Sequence, residues 1–246
     1  MKEIKTIDYV KRVLLIMNEA GMSDIMGNTM LGADTAQVDK YIAGSYVDAW
    51  RQCVKVMPRN WFENESFKTN THKPDLPNGT GYIELKEDFY LLSMFKMEGW
   101  VKPVFEAFIE NDKTSSIQSN EYTRGSTVRP ACTISQKIVQ KMNEVTNKME
   151  DTIINVLNYY SLPQGLLSHV IETAIYVPSA KPILNIDDKT KLILSDQVIE
   201  PLAYLSAATV FTMFEKYDIS NALEKRAIAM FPGLQSVRGT NVTTKQ

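Results

Sequence analysis

The sequence has few of the residues on which most catalytic and metal sites depend. Two histidines, His72 and His169, and two cysteines, Cys53 and Cys132, occur in 246 residues. They lack the spacing of a zinc ligand set, and neither a Gly-x-Ser-x-Gly elbow nor a phosphate-binding P-loop is present. The adjacent carboxylates Glu87-Asp88 are interpreted as a solvated turn. We therefore predict that the protein is not an enzyme, with no catalytic, cofactor-binding or metal-binding residue.

Long apolar runs and a strong charge excess are also missing. The first apolar run, Val13 to Met17, is too short for a secretory core, and no run approaches the roughly 18–20 residues of a membrane span. The 27 basic and 29 acidic residues leave a net charge of −2, which does not favour nucleic-acid binding as a default. With 44% apolar residues the chain is too apolar to be disordered. These features predict a soluble protein made inside the cell.

The N-terminal region has the spacing of helices. Apolar residues from Ile7 to Met17 recur every three or four positions before Gly21, which predicts a first helix. A second helix is predicted from Asp34, which has the spacing of a capping box with Gln37, to the residue before Pro58. One face of the second helix is formed by Val38, Ile42, Tyr46, Trp50, Cys53 and Met57. We expect Trp50, and both cysteines, to lie in the core.

Residues 59–81 are rich in turn formers and are predicted to be a surface connection. Extended runs follow, and they predict a small sheet of about four to six strands. The predicted strand segments are Tyr82–Leu85, Phe89–Met97, Val101–Ile109, Ala131–Ile134, Ile153–Tyr160 and His169–Val177. The polar stretch 136–151 fits either a helix or a long hairpin.

The C-terminal region is helical again. Ser195 is placed to cap a helix that starts at Asp196 and buries much of its surface. A shorter helix is predicted from Asn221 to Pro232. A polar, mobile tail is predicted for 238–246, and we expect residues 240–246 to become ordered only on a partner. The predicted fold class is α+β: a helical bundle of N- and C-terminal helices (1–58 and 191–246) with a β-strand-rich central insertion (59–190).

The least generic segment is the loop 120–130. Tyr122 is an amphipathic anchor, and Arg124 and Arg129 are fork-shaped donors, which are residue types enriched at interface hot spots. Trp100 either plugs the sheet onto the helices or lies at a subunit boundary. We therefore predict an interface that includes Tyr122, Arg124, Arg129 and Trp100, with a plain polar loop as the alternative.

Taken in order, several segments between about 40 and 230 resemble the head–tail connector (adaptor) ring proteins of short-tailed bacteriophages, most closely those of crAss-like phages. The segments that carry the resemblance are Tyr46–Trp50, Glu84–Phe89, Gly99–Val104, Asn120–Gly125 with Arg129-Pro130, Tyr159-Tyr160, Ala174–Pro178 and Val198–Ala208. They are packing and loop signatures.

The resemblance implies a structural virion protein in the head–tail neck, made in the host cytoplasm. It implies a homo-oligomeric ring of about twelve copies with heterologous interfaces. The implied partners are the portal protein and other ring or tail proteins, with double-stranded DNA passing during ejection and no membrane. Two alternatives stay open: another tail-tube or tail-hub assembly protein, and an enzyme whose site is assembled from scattered residues.

Overall fold

The computed structural model describes residues 1–20, 35–109, 113–120, 122–143 and 148–231. In chain order the elements are β1 Lys2–Lys5, α1 Thr6–Glu19, α2 Thr35–Val56, β2 Glu65–Ser66, β3 His72–Asp75, β4 Thr80–Glu84, β5 Phe89–Met97, β6 Ala107–Ile109, α3 Lys113–Ser119, β7 Cys132–Asn143, β8 Lys148–Tyr159, β9 Ile171–Pro178, β10 Lys191–Leu194, α4 Asp196–Met213 and α5 Tyr217–Ala229. They fall into two compact units, Met1–Glu63 with Ala180–Gln246, and Asn64–Ser179. Within the described ranges, no helix has the length and apolar character needed to cross a membrane.

The first unit is built around α4, which packs against α1, α2 and α5. Most of α4 is buried, and small side chains at Ala203, Ser206 and Ala207 let its neighbours approach closely. The hydroxyl of Tyr9, on α1, lies 2.7 Å from Ser206 Oγ, and both side chains are fully buried. Strands β1 and β10 form a two-stranded antiparallel sheet in the same unit.

The second unit contains two sheets and a core of its own. The strand order is β2-β9-β5 in one sheet and β3-β4-β8-β7-β6 in the other. All pairs are antiparallel except β6 with β7. Buried aromatic side chains form the centre of this core, with Phe67 stacked on Phe95 at 6.1 Å and Trp100 edge-on to Phe95 at 5.8 Å.

Several predicted elements are confirmed with shifted ends. The first helix, the second helix before Pro58, the helix from Asp196 and the strand Phe89–Met97 are present. The last helix starts at Tyr217, four residues before the predicted cap at Asn221, and Ser195 contacts Gln197 instead of a backbone N–H. Asp34 and the predicted tail 238–246 lie outside the described residues.

The ambiguous stretch is a hairpin, because β7 and β8 pair in register from Cys132↔Tyr159 to Asn143↔Lys148. Both cysteines are free and buried, as predicted. Burial raises the pKa of the Cys53 thiol to about 12, and it also raises the pKa of Cys132.

The predicted fold class, a helical bundle with a strand-rich insertion, is wrong. The chain is mixed α/β, with about 36% helix and 30% strand, and has three sheets and five α-helices in its described part. Two physical reasons account for the error. The strand-rich region buries its own aromatic core, and the charged segment Lys2–Lys5 forms a strand by pairing with Lys191–Leu194, which no alternation in either sequence announces.

Candidate interaction surface

Hydrogen bonds hold the backbone of the described part of the loop that joins α3 to β7. The Asn120 side-chain oxygen accepts a hydrogen bond from the Tyr122 N–H at 2.9 Å, and the Asn120 carbonyl accepts one from the Arg124 N–H at 2.8 Å. The Gly125 N–H donates to the Gln118 side chain at 2.7 Å. This pattern is that of an Asx turn, in which the side chain mimics a backbone turn. The loop therefore presents its side chains from a defined backbone.

Gly125 is the residue that this loop geometry requires. A Cβ atom placed on it would lie 2.2 Å from the carbonyl oxygen of Arg129. Such a separation is far below van der Waals contact, so a larger residue would push the two sides of the loop apart. The sequence signal for this constraint was the Gly in Thr123-Arg124-Gly125-Ser126, which also predicted a turn.

The predicted loop residues have different surroundings. Tyr122 is 93% exposed, so nearly its whole ring is available to another molecule. Arg129 is also exposed. Arg124 is half-buried, and its Nη1 donates to the Asn78 carbonyl at 2.8 Å, which ties this loop to the β3–β4 turn. Arg124 therefore holds the loop against the β3–β4 turn, whereas the Tyr122 side chain is exposed and can contact another molecule.

Trp100 lies in a different environment from the other three predicted interface residues. Its side chain is 3% exposed and belongs to the core of the second unit. The backbone next to it does reach the loop, since the Val101 N–H donates to the Thr127 carbonyl at 2.9 Å. The structure thus places the Trp100 ring in the core and does not bring it to the surface with Tyr122. A subunit contact of Trp100 stays a prediction.

The β7–β8 hairpin continues well beyond its sheet. Pairing of β4 with β8 ends at Glu84↔Val156, and pairing of β6 with β7 ends at Ile109↔Ile134. Residues 136–143 and 148–155 pair only with each other among the described strands. Eight residues per strand correspond to about 26 Å of projecting length. We call these two segments the hairpin arm.

The hairpin arm exposes apolar side chains in cross-strand pairs. Ile138 faces Ile153 and Met142 faces Met149, and the four are 71%, 66%, 62% and 58% exposed, respectively. Polar pairs such as Gln140 with Asp151 alternate with them on the same face, since side chains repeat every two residues. Isolated two-stranded hairpins are marginally stable in water. An arm of this length with this much exposed apolar surface indicates a contact surface.

A buried polar cluster lies where the opposite end of the same hairpin meets β4. The Tyr159 hydroxyl lies 2.8 Å from His72 Nε2 and 2.9 Å from His169 Nδ1. Tyr159 is fully buried and His169 nearly so. A hydroxyl has a single hydrogen, so Tyr159 donates to one imidazole and accepts from the other. Sequence reasoning placed the two histidines in a loop and at a strand border, and nothing in their spacing signalled that they meet.

Burial sets the charge of this cluster. It lowers the pKa of both histidines, with the neighbouring imidazole adding to the effect at His72 and Asp75 opposing it at His169. Burial also raises the pKa of Tyr159. At neutral pH the cluster is therefore an uncharged hydrogen-bonded chain that connects β3, β8 and the segment before β9. Such a chain can position the end of the hairpin, and it can gain a proton on acidification.

Charged groups also gather at a cavity of about 690 Å³ lined by residues 69–71 and 84–88. Beside it, the Tyr176 hydroxyl lies 2.7 Å from Asp88 Oδ1 and 3.0 Å from Glu65 Oε2, and Lys86 lies 2.9 Å from the same Glu65 oxygen. Burial, ahead of the two carboxylates, raises the pKa of Tyr176. These contacts connect β2, β9 and the turn before β5. Within the described ranges, no cluster of three metal-ligating side chains occurs.

No protein-family model matches the chain, and no curated protein matches it. The connector resemblance therefore remains an expectation from the sequence, as does the alternative of an enzyme. The structure shows that residues 136–143 and 148–155 form a hairpin, one of the two possibilities that the sequence left open, and it adds the histidine cluster, which sequence reasoning missed. No local signal separated the two possibilities, because Ile138 and Met142, like Met149 and Ile153, are four residues apart, a spacing that fits one face of a helix as well as one face of a strand.

Proposed function

We propose that this chain is a structural subunit of a bacteriophage connector ring, placed in the virion neck between the portal protein and the tail. The observation that supports this best is that exposed apolar groups occur in two separate places, the loop before β7 and the hairpin arm. Tyr122 lies in the loop that leads into β7, and the hairpin arm is formed by the opposite end of β7 and β8. A ring subunit needs separate contact surfaces of this kind, because heterologous contacts join different faces of identical copies.

The length of the hairpin makes the two surfaces spatially distinct. Twelve residues of β7 span about 40 Å at strand geometry. The loop end is held by Arg124, the Asx turn at Asn120 and the Tyr159 cluster, whereas the arm is paired only with itself. A hairpin that is held by side-chain contacts at the loop end and paired only with itself at the arm suits a subunit that binds one component at the loop end and a different component at the arm.

The first test is the assembly state of the purified full-length protein. Sedimentation velocity and negative-stain microscopy should show closed rings, with about twelve copies as the number that the resemblance implies. A protein that stays monomeric at about 100 µM and is absent from virions would contradict the proposal. Localisation of the protein in the tail tube or hub, away from the portal, would instead support the alternative of another tail assembly component.

The second test concerns the loop. Tyr122→Ala should impair ring formation or portal docking without loss of folded structure, because the side chain makes few contacts within its own chain. Arg124→Ala should also impair assembly, but with some loss of loop order, since it removes the hydrogen bond to the Asn78 carbonyl. Val128→Ala, at a 50% exposed position of the same loop, is the matched control. Equal assembly of Y122A and wild type would refute the role of the loop.

A further inference from the structure

The outer backbone edges of the hairpin arm pair with no third described strand; at the base of the arm, the Asn155 carbonyl accepts a hydrogen bond from the Leu85 N–H at 2.9 Å. Beyond Ile134 on β7 and Val156 on β8, no third described strand pairs with the hairpin. Neither β7 nor β8 contains proline or glycine. Natural edge strands are commonly short, interrupted by proline or covered. Two long uninterrupted edges are therefore templates for pairing with another strand.

The two edges have opposite charge. In the arm, the charged residues of β7 are Lys137 and Lys141, and the strand has no acidic residue; the Lys137 Nζ lies 4.1 Å from the centre of the Tyr82 ring. Residues 148–155 of β8 carry Lys148, Glu150 and Asp151, which leaves a net charge of −1 against +2 on β7. Pairing of β7 with β7 of another copy would set basic residues against each other, and pairing of β8 with β8 would do the same with acidic residues. Like charges on adjacent strands are destabilising, whereas opposite charges stabilise the pair.

The pattern of apolar residues also favours pairing of β7 with β8 of another copy. Within one hairpin, Ile138 lies opposite Ile153 and Met142 opposite Met149. If β7 of one copy lies beside β8 of the next in this same register, the Ile138–Ile153 and Met142–Met149 pairs recur across the subunit boundary. The apolar rows then run unbroken from copy to copy, and about eight interchain backbone hydrogen bonds form.

We propose that the hairpin arm binds a second copy of this chain, with the outer edge of β7 pairing antiparallel to the outer edge of β8 of the next copy. This inference rests on the proposed ring function and specifies its subunit contact. Pairing of two different edges is heterologous, so a pair of copies keeps one free β7 edge and one free β8 edge. Such a contact propagates around a closed ring instead of stopping at a dimer.

Cross-linking of single-cysteine variants tests the pairing. Ile138→Cys and Ile153→Cys proteins, one carrying a size tag, are mixed and treated with a short bismaleimide. The native Cys53 and Cys132 are fully buried and give a low background. We expect a linked heterodimer in the mixture that neither variant forms alone. Dimers of I138C alone would show twofold β7–β7 pairing and would overturn the proposal.

Charge reversal gives a second measurement. Glu150→Lys/Asp151→Lys should weaken self-association by about tenfold at low salt, and less at high salt, because in this register residue 150 lies opposite Lys141 of the next copy, so the contact loses one attraction and gains a repulsion. Glu19→Lys/Glu224→Lys makes the same charge change at exposed positions of α1 and α5 and should leave assembly unchanged. Equal effects of the two pairs would overturn the arm contact.

The two proposals fail in different ways. Rings that form without the 138–153 cross-link, and that tolerate E150K/D151K, would overturn the arm pairing and leave the ring function standing. A monomeric protein under all conditions would overturn both.

Discussion

Replacing Tyr159 with Phe removes a single oxygen atom from the centre of the histidine cluster. The ring still fills its place in the core, so no cavity of consequence forms. The change removes two hydrogen bonds, at 2.8 Å to His72 and 2.9 Å to His169. His169 is 6% exposed, and its Nδ1 would lose its partner in a place that water reaches poorly. An unsatisfied buried polar group costs about 1–3 kcal/mol, whereas the more exposed His72 can bind water instead.

We therefore expect Y159F to lower the free energy of unfolding by about 2 kcal/mol. With a urea m-value of about 2 kcal/mol/M, the midpoint falls by about 1 M. Because the chain has two compact units, hydrogen exchange of β8 peptides should accompany the urea titration, so that the loss is assigned to the second unit. Tyr122→Phe is the matched control, since it removes a hydroxyl from a side chain that is 93% exposed.

The control should change stability by less than about 0.5 kcal/mol. A loss below that value for Y159F, or equal losses for Y159F and Y122F, would refute the view that the hydroxyl satisfies the two imidazoles.

Three further predictions concern stability. Because burial lowers the folded-state pKa of His72 and His169 below the unfolded value of about 6.5, the stability they confer is present above pH 6.5 and is lost as pH falls through the folded pKa values. Urea titrations between pH 7.5 and 5.5 should show this loss, at most about 1.4 kcal/mol per pH unit for each proton, and H72Q should reduce the slope. Gly81→Ala should lower the free energy of unfolding, followed by thermal melting, by at least about 2 kcal/mol, since a Cβ there would lie 2.3 Å from the Tyr159 hydroxyl. Gly44→Ala, in open space on α2, is the control and should leave the free energy of unfolding unchanged or raise it. Tyr9→Phe should lower the free energy of unfolding by about 1–2 kcal/mol, because the hydroxyl of the buried Ser206 loses its hydrogen-bond partner. An unchanged urea midpoint would contradict this.

The elements that the sequence predicted well are those whose pattern is local. The apolar face of α2 and its end at Pro58, and the limits of β5, follow from periodicity and from the geometry of proline. Strands β1 and β10 were missed because their stability comes from each other, across more than 180 residues. The turn-rich segment before β4 was predicted to be a connection, yet its residues His72–Asp75 pair with Thr80–Glu84 as a short hairpin.

The predicted interface residues also fall into two groups: one whose environment follows from the local sequence and one whose contact depends on distant residues. Exposure of Tyr122 follows from its polar, turn-rich neighbours, and the structure agrees with that expectation. The Arg124 contact with Asn78 joins two turns that are 46 residues apart in the chain, and no local pattern shows it. The meeting of His72 with His169 depends likewise on the register of β3, β4 and β8, which the sequence does not specify.

The burial of both cysteines has a consequence for the covalent state of the protein. Oxidants attack thiolates that solvent can reach, and both Cys53 and Cys132 are enclosed and held as thiols by burial. A protein with this chemistry keeps the same covalent state in a reducing host cell and in the oxidising medium outside it. The ring subunit that we propose would assemble in one environment and work in the other, and its fold would need no redox step between the two.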